Sequence, residues 1–258
     1  MKIARTWKAA VAVAAVLLVS AGGAYAWIVF TRPPELALAG PIARSPAPSP
    51  APNDPLAQAC RGPALPPTTS SAIAGGLWVI QPGSLAGYRA HEKFAQVPSP
   101  HVAVARTERV GGWLLIGGSD ANPQLETGCV AVELAALRSV DVLPGFNTAD
   151  RDETARNFLR AREHPYAIFQ PYPSPVDPNI ARGGTLRVEL AGALEVGGIS
   201  RPATFSLSVR YTNGQVAAAG STTVDVADYD IDVPQTAGDF VAVNPKITLE
   251  VSLVLLKS

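Results

Sequence analysis

Residues 185–216 read TLRVELAGALEVGGISRPATFSLSVRYTNGQV. Leu186, Val188 and Leu190 alternate with Thr185, Arg187 and Glu189. Phe205, Leu207 and Val209 then alternate with Thr204, Ser206, Ser208 and Arg210. A period of two puts apolar side chains on one face of a strand and polar ones on the other. Gly197-Gly198 separates the two runs, and Asn213-Gly214 follows the second, a pair that favours two-residue hairpin turns. The stretch therefore reads as consecutive antiparallel strands, each with one dry face and one wet face.

The same pattern extends in both directions. Val130, Val132 and Leu134 alternate with Cys129, Ala131 and Glu133; Ile247, Leu249, Val251, Leu253 and Leu255 alternate with Thr248, Glu250 and Ser252. Eight or nine strand candidates run from near Leu77 to near Leu256. One segment departs from the period: TADRDETARNFLRARE at 148–163. Thr148 can cap a helix, the acidic residues Asp150, Asp152 and Glu153 suit its positive end, and Arg156, Arg160 and Arg162 suit its negative end. Ala155, Phe158 and Leu159 give a narrow apolar stripe, and Pro165 stops the helix. Arg151 and Asp152 read as an ion pair at the helix start.

An all-β chain of this kind must hide its sheet edges, and closure into a barrel does so. About eight strands leave an interior that side chains fill, or one that holds a single small ligand. Small inward residues such as Ala86, Ala90, Ala218 and Gly220 suit a cavity. An ordinary packed core accounts for them equally well.

The N-terminus is a separate matter. Lys2, Arg5 and Lys8 precede 23 uncharged residues, Ala9 to Thr31. As a helix that run spans about 35 Å, enough to cross a hydrocarbon core of about 30 Å. Ala24-Tyr25-Ala26 could be a signal cleavage site, but Trp27-Ile28-Val29-Phe30 prolongs the apolar run beyond it. We read 1–31 as a signal anchor with an internal N-terminus. This places the C-terminal domain outside the cytoplasm on a single-pass anchor, or secreted if cleavage follows Ala26. Eleven prolines between Pro33 and Pro67 mark residues 32–74 as a Pro/Ala-rich linker, an extended spacer. Residues 75–258 form the folded domain.

Twenty-one basic residues balance twenty-one acidic ones, which argues against nucleic acid as a partner. Cys60 and Cys129 in an exported chain are compatible with one linker-to-barrel disulfide, or with two free thiols. No catalytic or metal-binding motif stands out. His91, His101 and His164 lack zinc-ligand spacing, and neither a G-x-S-x-G elbow nor a phosphate loop is present. No cofactor is implied and no enzyme activity is expected. The sequence does not indicate an oligomeric state.

Several segments taken together resemble a known family. They are Trp78-Val79-Ile80, Gly83-Ser84, Gly87-Tyr88-Arg89-Ala90-His91-Glu92, Asp150-Arg151-Asp152, Asn157-Phe158-Leu159 and His164-Pro165-Tyr166-Ala167-Ile168-Phe169. They continue with Gly192-Ala193-Leu194-Glu195-Val196-Gly197-Gly198-Ile199-Ser200-Arg201-Pro202, Asp228-Tyr229-Asp230-Ile231 and Ile247-Thr248-Leu249-Glu250-Val251-Ser252-Leu253. Their order and spacing resemble the YceI-like family of lipocalin-like, polyisoprenoid-binding proteins over residues 77–256. The resemblance implies an eight-stranded antiparallel barrel with one short helix, enclosing an elongated apolar tunnel for an isoprenoid chain such as a quinone or polyprenol tail. With alternation, it gives a lining of Tyr88, Ala90, Leu114, Ile116, Val130, Val132, Leu134, Phe169, Leu186, Val188, Phe205, Leu207, Val224, Leu249 and Val251. The chain departs from the family pattern at Gln81, commonly Asp, and at Tyr88 and Glu92, commonly Phe and His. Glu92 is then the candidate polar contact to a ligand. The alternative is a ligand-free envelope interaction module whose barrel core is filled.

Overall fold

A computed structural model describes residues 32–40, 54–61, 75–94, 101–142, 147–234 and 241–258. The expected signal anchor at 1–31 lies outside them. Among the described residues no helix is long and apolar enough to cross a membrane.

The strands are β1 Gly76–Ile80, β2 Leu85–Phe94, β3 His101–Thr107, β4 Val110–Ser119, β5 Asn122–Glu133, β6 Arg138–Ser139, β7 Tyr166–Pro171, β8 Ser174–Pro175, β9 Thr185–Val196, β10 Ile199–Thr212, β11 Gln215–Asp225, β12 Val241–Val243 and β13 Lys246–Lys257. Eight of them pair antiparallel in the order β1-β4-β5-β7-β9-β10-β11-β13. The β1–β13 pairing, Trp78↔Lys257 to Ile80↔Leu255, closes the ring. The result is a closed eight-stranded antiparallel barrel. β2 and β3 prolong β1 and β4 past a break at 81–84. β13 accordingly pairs with β1 through Leu255–Lys257 and with β2 through Thr248–Ser252. Gln81 and Ser84 build that break: Gln81 N–H donates to Val254 O (2.8 Å), and Ser84 Oγ donates to Gln81 O (2.8 Å) while accepting from Val254 N–H (3.0 Å).

Turn chemistry places the β10–β11 hairpin. Thr212 pairs with Gln215 across Asn213-Gly214, whose φ angles of 51° and 77° are those of the tight turns that match strand twist.

Among the described residues two helices flank the wall: α1, Pro55–Ala59, and α2, Thr148–Phe158. The cap of α2 is Asn147 rather than Thr148, with its side chain accepting from Ala149 N–H (3.0 Å). The helix also ends earlier than its sequence suggests. Arg160 adopts φ 52°, and His164 N–H folds back to Arg160 O (2.8 Å). Phe158 is exposed. The buried residue of the helix is Asp152, so α2 is held by polar contacts more than by an apolar stripe. Arg151 and Asp152 do not pair with each other. Arg151 donates to Asp141 (2.6 Å), and Asp152 accepts from the backbone and hydroxyl of Ser139 (2.9 and 2.6 Å).

Two pieces of the proline-rich stretch lie on the barrel. Cys60 is disulfide-bonded to Cys129, its carbonyl accepts from Trp113 Nε1 (3.0 Å), and Leu56 is buried. Residues 34–40 run as a strap over the outer face. Arg89 and Arg106 both donate to Pro34 O and both pair with buried Glu250 (2.9 Å each). Farther along, Ala37 O accepts from Ser252, Ala39 O from Arg210 and Gly40 O from Gln215. Leu36 N–H also donates to Glu250 (3.3 Å), so the strap is held by its backbone groups, which leaves its side chains free of pattern.

Candidate functional site: an apolar cavity in the barrel

Inward side chains pack into two clusters at opposite ends. At one end, Ala90, Ala103, Val226, Tyr229, Ile231 and Ile247 are buried together. At the other, Trp78, Ile80, Leu253 and Leu255 are buried, with Trp78 edge-on to Tyr211 at 6.1 Å between ring centroids. Between them the barrel is not filled. A cavity of about 480 Å³ remains, within the range of small-molecule sites.

The wall of that cavity contains Tyr88, Leu114, Ile116, Val130, Val132, Leu134, Phe169, Leu186, Val188, Phe205, Leu207, Leu249 and Val251. Phe169 and Phe205 meet edge-to-face at 5.0 Å. Two residues expected in the lining are not there. Ala90 is buried in the end cluster, and Val224 packs against it. The reason is depth along the barrel axis: the turn at Val226–Tyr229 and Ile231 plug this end, so inward positions beyond the plug cannot reach the cavity.

Glu92 lies beyond the plug as well and is not part of the cavity wall. It is 9 % exposed, its register partner on β3 is His101, and its Oε2 has no hydrogen-bond partner among the described residues. Burial pushes its carboxyl up. Its neighbours are satisfied elsewhere. Asp141 sits 2.6 Å from His101 Nε2, and accepts from Arg151 (2.6 Å) and from Val104 N–H (2.8 Å). Burial alone would raise Asp141, but these hydrogen bonds outweigh it and bring the carboxyl to about 2. Burial also pushes the Tyr88 hydroxyl upward, so it stays protonated where it borders the cavity.

Other lining residues escaped the sequence reading. Trp78, Leu125, Leu194 and Tyr211 obey the strand period and could have been found by extending it. Pro171 ends β7, and Pro175, Val176 and Ile180 come from the largely irregular segment after it, where no period exists. Such a surface can exclude water from an apolar molecule placed against it.

A family model for the YceI-like domain matches residues 100–255. The chain belongs to the YceI-like family. No curated protein matches this YceI-like chain. Among solved structures it is similar to a polyisoprenoid-binding domain from Saccharophagus degradans implicated in plant cell wall breakdown: 13 % identity, 70 % of this chain and 98 % of that chain covered, TM-score 0.49. It is also similar to BcnA of Burkholderia cenocepacia (15 % identity, 66 % and 95 % covered, TM-score 0.45) and to a YceI protein of Campylobacter jejuni (11 %, 62 % and 82 %, 0.35).

Proposed function

We propose that this YceI-like barrel is an exported, membrane-anchored binding protein that holds an elongated apolar lipid, an isoprenoid chain such as the tail of a quinone or polyprenol. The unfilled cavity of about 480 Å³, walled by aliphatic and aromatic side chains, carries the reading. Burying about 400 Å² of tail would contribute roughly 10 kcal/mol before costs. Ordering the tail and losing its free motion subtract from that gain. A ligand-free interaction module would need a packed core, and the open interior counts against it.

The anchor is the charge-free run Ala9–Thr31, with basic residues on its N-terminal side. The strap shortens the spacer between this run and the barrel. Pro34 is gripped by Arg89 and Arg106, so only Arg32 and Pro33 lie between the end of the run at Thr31 and the barrel wall, and the chain makes three Cα–Cα steps there. They can span about 10 Å. In this reading the barrel rides close to the bilayer rather than at the end of a long spacer.

Equilibrium binding tests the proposal. A prenylated benzoquinone titrated into the full-length protein is expected to quench the fluorescence of Trp78, which borders the cavity. Val132→Trp, which fills the cavity, should abolish that binding. Quenching that is absent in the wild type, or unchanged in Val132→Trp, would count against it.

A further inference from the structure

The barrel wall is incomplete between β5 and β9. β7 reaches only Gly192 of β9, through Pro171, and Tyr172 N–H then donates to Ala191 O (2.9 Å). On that side no strand among the described residues pairs with Thr185–Leu190. β5 is equally bare: past its rungs with β7 at Val130–Glu133, it carries only the two-residue rung with β8, Gln124↔Pro175 and Leu125↔Ser174. The gap is covered by residues 172–184. They rest on β5 through that rung and one further bond, Val176 N–H to Pro123 O (2.9 Å).

The cavity reaches this gap. Arg187 and Glu189 point out of the barrel on β9, yet they border the cavity together with the inward Leu186, Val188 and Leu190. Val176 and Ile180 of the covering segment line the same cavity, so that segment closes it on this side. The inward residues of the same strand agree: Leu186, Val188 and Leu190 are half-buried, whereas Leu194 and Val196, next to β7, are buried. Both ends of the barrel, by contrast, are closed by buried clusters. The covering segment has a pivot. Gly183 and Gly184 have φ angles of 82° and 91°, which L side chains rarely adopt, and a Cβ at either would meet nothing within 4 Å.

We infer that residues 172–184 are a side lid, and that an apolar chain enters the barrel laterally between β5 and β9 as this lid swings on Gly183–Gly184 and releases its short ladder to β5. The inference rests on the binding function proposed above. It places the polar end of a bound lipid at the free edge of β9, beside Arg187 and Glu189, with its tail inside. Opening separates Pro175, Val176 and Ile180 from the cavity and breaks the short ladder to β5. Entry through either end would first have to unpack Trp78 and Leu255, or Tyr229 and Ile231.

A reversible cross-link tests this. Gln124→Cys with Pro175→Cys joins register partners of β5 and β8 and ties the lid shut; Leu125→Cys with Ser174→Cys does the same one rung along, should the first pair fold poorly. Ser119→Cys with Asn122→Cys, register partners in the exposed β4–β5 hairpin, is the control. Full-length protein is mixed with phosphatidylcholine vesicles carrying a prenylated benzoquinone, and loading is followed by Trp78 quenching. The oxidised lid variant is expected to load and release at least tenfold more slowly than wild type, and to recover on reduction, with wild type in the same reductant as reference. Loading of the cross-linked lid at the wild-type rate overturns the lid. No loading even without a cross-link takes down the binding function, and the lid with it. Amide exchange gives a second readout on unaltered protein: residues 173–183 should exchange faster than β10 and β11 and slow when the quinone binds. Protection equal to that of β10 would overturn the inference.

Discussion

The end of the barrel beside α2 and the side between β5 and β9 are built on opposite terms. At the α2 end, polar groups are locked in place. Asp141 is shared by His101, Arg151 and a backbone N–H, Asp152 holds two groups of Ser139, and a plug of buried side chains lies next to them. At the side, an irregular segment of exposed prolines and glycines leans on a two-residue ladder. Burial and dense hydrogen bonding make the first region rigid. Few apolar contacts and exposed backbone make the second the place where local opening costs least. A binding protein with a closed interior needs both: one part that keeps its shape, and one that yields.

Substitutions can break or sharpen this contrast. The largest effect is expected at Asp141. Asp141→Ala leaves Arg151 and the Val104 N–H without their acceptor in a buried setting, so it should cost about 3–5 kcal/mol in denaturant unfolding. The wild-type contribution of Asp141 depends on pH in a defined sense. Its folded carboxyl lies at about 2, below an unfolded value of about 3.9. The stabilisation is therefore complete above pH ~4 and lost as pH falls toward 2; a stability curve flat across that window would contradict the assignment.

Next comes the staple. Cys60→Ser with Cys129→Ser releases a link across a sequence separation of 69 residues. It should lower stability by about 2–4 kcal/mol, with α1 freed from β5. Loss of α1 contacts without a change in quinone affinity would show that this face is scaffold.

The smallest effect runs in the stabilising direction. Burial raises the Glu92 carboxyl, and its Oε2 has no partner among the described residues. An acid with a raised folded pKa favours the fold while protonated and loses that advantage as pH rises. Glu92→Gln should therefore be about 1 kcal/mol more stable than wild type at pH 8, with the gap closing as pH falls toward 4. Chemical denaturation at the two pH values measures it. A gap that widens on acidification would reverse the sign and refute the account of this residue.

The two regions also differ in how much of them the sequence revealed. The wall was legible because period two persists through β5, β9, β10 and β13, and a period names the face each side chain takes. It does not name depth. Ala90 and Val224 sit on the inner face but past the plug formed by Tyr229 and Ile231, so alternation alone put them in the cavity. The helix was visible from its charge order, while its true end depended on Arg160 turning left-handed, which no pattern announced. The strap and the lid were hidden for a shared reason. The strap is held by backbone groups, the carbonyls of Pro34, Ala37, Ala39 and Gly40 and the N–H of Leu36, and the lid by a short ladder, so their side chains carry no repeat.

The central claim is that the cavity is occupied by an isoprenoid-type lipid. The most direct measurement is organic extraction and mass spectrometry of full-length protein purified from its native host, with Val132→Trp prepared in parallel. We expect an isoprenoid lipid at close to one per chain in the wild type and its loss in Val132→Trp. A clean extract from the wild type, or an isoprenoid that persists equally in the filled-cavity variant, would contradict it.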